Sequence, residues 1–230
     1  MIRSRIGLLA AWVLGFAGVL ACTPQAKAEF FEFSSMVSIT GFTSPSGSTI
    51  NNNPNGITSS FTTPNGNQVI LTALSSNPAV PRNNAGGLGT DIPPLNINAN
   101  SNFGSEFISL DFKLTLTLTD YMGAFDANPA LGPNPVSFTF NGTIAGQLGD
   151  FQSNLNLASF IPQQITAVVG GSAYTIEFRN FSSPGSDNDG RLTLHVTASA
   201  VPEPASATLM GLGGLSLLGM LRRRRATVVA

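Results

Sequence analysis

The chain of 230 residues has one cysteine, one histidine and one tryptophan. Cys22 and Trp12 both lie before Glu29, so the rest of the chain is cysteine-free. That excludes a disulfide framework, a thiolate metal site and a cysteine nucleophile there. Charge is also scarce, at 10% of residues. Positive charge is scarcest: from Glu29 to Glu203 only Arg82, Lys113, Arg179 and Arg191 stand against all twelve acids, a net charge of −8. Such a segment offers no cluster of cations to phosphates, which excludes nucleic acid as a partner. It fits a soluble body kept apart from its neighbours by charge repulsion. No long amphipathic helical pattern occurs.

What is present is alternation and turns. In FISLDFKLTLTLTD, residues Ile108, Leu110, Phe112, Leu114, Leu116 and Leu118 fall on one side of an extended chain and Ser109, Asp111, Lys113, Thr115, Thr117 and Thr119 on the other. Period two over a dozen residues predicts a strand with one face in a core and one in water. Residues 191–200 repeat it, with Leu192, Leu194, Val196 and Ala198 inward. Shorter strands are expected at 36–42, 57–62, 68–74, 136–140, 165–169 and 173–178. Asn55-Gly56, Asn65-Gly66 and Asn141-Gly142 are tight-turn pairs, and the first two predict a meander around ITSSFTTP. Residues 155–160 suggest one short turn of helix. Residues 75–105, rich in Pro, Asn and Gly, read as a long loop. Eight to ten short strands with turn-rich connections predict an all-β fold, an antiparallel β-sandwich of immunoglobulin-like or jelly-roll type.

The search for chemistry in this body yields little. His195 would be a general base or metal ligand on a functional reading. It instead falls on the polar side of a strand beside Thr193 and Thr197, with no second histidine and no Gly-x-Ser-x-Gly elbow. No catalytic residue and no cofactor is therefore assigned. Asp187-Asn188-Asp189-Gly190 resembles part of a calcium loop, which makes Asp187 and Asp189 candidate ligands. Gly185 stands where a further acid belongs and no Glu closes the loop, so a polar hairpin turn is the favoured reading. Asn141-Gly142-Thr143 and Asn180-Phe181-Ser182 match a glycosylation acceptor pattern and are read as chance. Phenylalanine is abundant in the body and falls on alternating strand positions, which favours core packing over a sugar-stacking platform.

The two ends carry addresses. Residues 1–28 have Arg3 and Arg5, an apolar stretch from Ile6 to about Ala21, and the small-x-small site Ala26-Lys27-Ala28. This predicts a secretory signal peptide cleaved after Ala28. Val19-Leu20-Ala21-Cys22 offers the competing reading of a lipobox with a lipidated Cys22. At the other end, Ala205 to Leu221 are seventeen uncharged residues. As a helix they would span about 25 Å, just enough for a single transmembrane helix. Arg222, Arg223, Arg224 and Arg225 follow as a membrane stop, which places them inside and the body outside. Pro202-Glu203-Pro204 precedes the apolar run. Two prolines one residue apart cannot sit in a helix or a central strand, so they hold the chain extended where it meets the membrane.

VPEPASATLMGLGGLSLLGMLRRRR resembles the PEP-CTERM sorting signal of bacterial exported proteins. Its motif, apolar helix and arginine cluster stand in order, and Ala226 to Ala230 form an added tail beyond them. The resemblance implies an exosortase as processing partner and transient membrane attachment. It makes Pro202, Glu203 and Pro204 recognition residues and implies delivery of the body to the cell surface or extracellular matrix. It also implies an association with exopolysaccharide and biofilm. A GPI signal would end in its apolar run, and the Leu-Pro-x-Thr-Gly motif of a sortase signal is missing. The arrangement FEFSS…LGT…N before a long alternating strand also resembles "choice-of-anchor" ectodomains. The expected organisation is a signal peptide at 1–28, an ectodomain at 29–200, the sorting signal at 201–225 and a cytoplasmic tail at 226–230. The leading functional expectation is a non-enzymatic surface or matrix protein. The alternatives are a carbohydrate- or calcium-binding module and an enzyme acting on matrix polysaccharide, which would need two carboxylates facing across a cleft.

Overall fold

The alternation in the sequence becomes strand. A computed structural model describes residues 30–76, 80–81, 89–101, 104–120, 134–149, 153–170, 172–185 and 189–200. Twelve strands run through these residues: β1 (Phe30–Ser44), β2 (Thr49–Asn52), β3 (Thr58–Thr62), β4 (Gln68–Ala73), β5 (Val80–Pro81), β6 (Thr90–Asn100), β7 (Glu106–Asp120), β8 (Val136–Leu148), β9 (Asn154–Ile161), β10 (Gln164–Val169), β11 (Ser172–Ser182) and β12 (Gly190–Ala200). They form two antiparallel sheets, of order β5-β1-β7-β8-β9 and β10-β11-β12-β6-β4-β3-β2. No helix occurs among the described residues. The strands lie in one compact unit, Lys27–Ser199.

The inner faces of both sheets meet in one core. In β7 the six apolar residues from Ile108 to Leu118 are buried as the alternation predicts, and in β12 so are Leu192, Leu194 and Val196. Each fully buried Leu, Ile, Val or Phe contributes about 1.5–3 kcal/mol through removal of apolar surface from water. Aromatic pairs bridge the sheets: Phe31 meets Tyr174 edge-on at 6.1 Å, and Phe42 lies 5.3 Å from Phe61. The meander is present as β2-β3-β4. Its two turns share one chemistry. The amide of Gly56 donates to the Asn53 carbonyl and that of Gly66 to the Thr63 carbonyl. Pro54 and Pro64 supply the fixed φ of the second turn residue, and the glycines adopt φ of 67° and 84°.

Four expectations from the sequence change. Residues 75–105 are no continuous loop: within them β6 pairs β4 on one side and β12 on the other. Leu95 and Ile97 point inward while Asn96 and Asn98 face out. Pro93 and Pro94 are tolerated because the β6–β12 ladder shifts register between Leu192 and Leu194, so neither proline must donate. Residues 155–160 are strand rather than helix. A bulge in β9 inserts Ala158 between the Leu157–Ile144 and Ser159–Thr143 pairs. Leu155 and Phe160 are both buried and five apart, an odd spacing that breaks the period two of a regular strand. Asn141-Gly142 is no turn but the middle of β8, opposite Lys113 and Phe112. A Cβ on Gly142 would lie 2.3 Å from Phe112 Cζ, so the glycine makes room for that ring. Finally, several strands are long rather than short; β1 and β7 have fifteen residues each.

The two sides of the body close differently. Along β1, beyond its two-residue pairing with β5, groups from the other sheet satisfy the free edge. The Phe33 amide donates to Ser76 Oγ at 2.8 Å, and the Ser76 amide donates to the Phe33 carbonyl at 2.9 Å. The Val37 amide donates to the Gly56 carbonyl at 2.7 Å, and Ser59 Oγ donates to the Val37 carbonyl at 3.0 Å. Asn52 acts as a piece of strand for Ile39. Its Oδ1 accepts from the Ile39 amide and its Nδ2 donates to the Ile39 carbonyl, each at 2.9 Å. Buried Ser35 reaches the Leu74 and Pro94 carbonyls. On the opposite side the chain crosses from edge strand β9 to edge strand β10 through Pro162 and Gln163.

Candidate functional site

β12 runs to Ala200, two residues before Pro202. Pro202, Glu203, Pro204, Arg222 to Arg225 and the cleavage residue Ala28 lie outside the described residues, as does Asp187. Among the described residues no helix is long and apolar enough to cross a membrane.

His195 sits on the outer face of β12, opposite Asp91 of β6. Its Nδ1 lies 2.5 Å from Asp91 Oδ1, and the two side chains are 21% and 51% exposed. This is a cross-strand pair on an open sheet face. Asp189 opens the last strand and accepts a hydrogen bond at 2.7 Å from Asn98 Nδ2 of β6. Among the described residues no three His, Cys, Asp or Glu side chains gather as a metal site would require.

Two constellations were not legible in the sequence. The first is centred on Glu106 at the start of β7. Asn65 Nδ2 donates to Oε1 at 2.8 Å and Asn67 Nδ2 to Oε2 at 2.7 Å, with Thr63 Oγ1 a further donor to Oε2. One carboxylate thus holds the β3–β4 turn of the larger sheet from the smaller one. The Asn65-Gly66 signal predicts the turn, but only the fold brings Glu106 to it.

The second is a cleft of about 340 Å³ where β9 and β11 converge. Fully buried Phe160 stacks on Phe140 at 5.2 Å and 9° and meets Phe178 at 5.5 Å. Gln163 ties the crossing down: its Nε2 donates to the Phe160 carbonyl at 3.1 Å and its carbonyl accepts from the Phe178 amide at 2.8 Å. Around these lie Asn156 and Ser159 of β9 and Asn180 and Phe181 of β11. Strict burial alternation in β11 holds as far as Ile176 and is lost along its last residues, where Phe178 and Phe181 are both half-buried. That loss of phase was the available signal.

Against known proteins, the family model of the PEP-CTERM protein-sorting motif matches residues 200–225. No curated protein and no solved structure matches the chain. The matched residues include Pro202-Glu203-Pro204, the apolar run and the arginine cluster. The chain thus carries a PEP-CTERM protein-sorting motif, and its described residues are all-β.

Proposed function

We propose that this chain is an exported, non-enzymatic protein whose β-sandwich body is delivered to the cell surface or extracellular matrix by an exosortase and works there in contact with exopolysaccharide. The observation that carries this reading is the sorting motif at 200–225. In this scheme the chain is the substrate of the sorting enzyme. A signal peptide ending at Ala28 exports it, the apolar run 205–221 holds it in the membrane, and Arg222 to Arg225 stop transfer. Pro202-Glu203-Pro204 is presented in extended form, because neither proline supports helix or ladder. The acidic body supports a surface role, since like charge keeps displayed copies soluble.

Intact mass of the protein from its host, measured separately in membrane and released fractions, tests the proposal. The expected released chain begins at Glu29 and ends within residues 202–204. A released or surface form that keeps Arg222 to Arg225 would overturn sorting by cleavage. A lipid mass on Cys22 would replace the signal-peptidase reading with a lipoprotein.

A further inference from the structure

We infer that the cleft between β9 and β11 is a binding site for neutral saccharide. The inference rests on the surface placement proposed above only for where the sugar would be met; the chemistry is that of the cleft itself.

The cleft combines two kinds of surface. Phe178 and Phe181 are half-buried and line it, with Phe160 buried behind them. Phe178 is braced by Phe160, which is itself stacked on Phe140. Asn156, Asn180 and Gln163 add side-chain amides at the rim. The Asn180 side chain is exposed and has no hydrogen-bond partner among the described residues, so both halves of its amide are available to a ligand. A pyranose ring has that same duality. Its C–H faces pack on the electron-rich face of an aromatic ring, and its hydroxyls both donate and accept, as an amide does. The volume of about 340 Å³ lies within the range of about 300–1,000 Å³ usual for small-ligand sites.

Charge decides between sugars. No residue lining the cleft is charged, and the segment from Glu29 to Glu203 carries a net charge of −8. A uronic-acid polymer would meet no charged lining residue, only Arg179 at the position between Phe178 and Asn180, and would be repelled by the acidic body, so a neutral sugar is favoured. Charge also decides between binding and cleavage: glycoside hydrolysis needs a carboxylic acid and a second carboxylate, and the cleft has neither. The bulge falls within the lining of the site, where it places the small side chain of Ala158; a bulge locally bends the strand that carries it.

The test uses the full chain in a sugar-free zwitterionic detergent. Cellohexaose, laminarihexaose and maltohexaose are titrated by calorimetry. A hexamer of galacturonic acid and an extended Val-Thr hexapeptide serve as competing ligand classes. The expected result is saturable binding of at least one neutral hexasaccharide with Kd below about 1 mM. Phe181→Ala should weaken it about tenfold through loss of ring stacking. Asn180→Ala should weaken it about fivefold through loss of its hydrogen bonds. Ser60→Ala on β3, four strands from β11 in the larger sheet, should leave it unchanged. Circular dichroism confirms that each variant is folded. No saturable binding to any of the three sugars would overturn the inference. So would binding that survives both cleft substitutions, or tighter binding of the acidic hexamer or the peptide at the same residues. The sorting reading is decided separately by intact mass: an uncut tail with sugar binding intact would sink that reading alone.

Discussion

The two sides of this body teach opposite lessons about a sheet edge. On the β1 side, the backbone groups of Phe33, Val37 and Ile39 find partners in Ser76, Gly56, Ser59 and Asn52 of the facing elements. On the β9 side, the edge strand carries a bulge and one crossing at Gln163, and a cleft lies beside it. A buried edge must satisfy its amides and carbonyls, because leaving one unmade costs more than making it gains. A solvated edge need not, and bulges are a common way of keeping such an edge from pairing with other chains. The closed side therefore concentrates stability, and the open side is where a ligand can be admitted.

That contrast is breakable by substitution. The largest loss is expected for Phe61→Ala on the closed side. The ring is fully buried against Phe42, and its removal should cost about 3–5 kcal/mol in denaturant unfolding. Asn52→Ala should follow at about 1–3 kcal/mol, since it strips partners from both the amide and the carbonyl of Ile39. Hydrogen exchange at the Ile39 amide should accelerate in that variant while the β7–β8 amides stay protected. Glu106→Ala removes the acceptor of three side chains, among them fully buried Asn67, and should cost about 1–2 kcal/mol. Phe181→Ala on the open side should cost less than about 1 kcal/mol, because a half-exposed ring removes less surface from water. Equal losses for Phe61→Ala and Phe181→Ala would erase the distinction between the sides. The smallest effect is expected from calcium: at millimolar concentration it should move Tm by less than about 1 °C, since Asp189 is engaged by Asn98. A larger rise would reinstate a calcium site at Asp187 and Asp189.

The elements read correctly from sequence are those in which local pattern and burial agree. β7 and β12 alternate without interruption, so their inward residues are evident before any fold is known. The Pro-Asn-Gly turns encode their own dihedrals. The misread elements are those in which a distant partner reverses a local signal. Asn141-Gly142 has turn chemistry, yet the Phe112 ring needs the space a side chain would fill. Pro93-Pro94 has loop chemistry, yet a register shift in the β12 ladder excuses the missing donors. Leu155 to Phe160 lost its strand period because a bulge added one residue.

The sorting address was determined by the sequence alone. Its motif, apolar run and arginine cluster are contiguous, and they act through composition and order rather than through packing. The all-β class was determined in the same way, because period two is a local property of an extended chain. Only the tertiary structure decided that Glu106 holds the Thr63–Asn67 turn, that Asn52 completes the edge of β1, and that Phe178, Asn180 and Phe181 meet Asn156 in a cleft. Those residues come from strands far apart in the chain or from opposite sheets. No local pattern records which strand will lie opposite which; that is fixed by how the two sheets share one core.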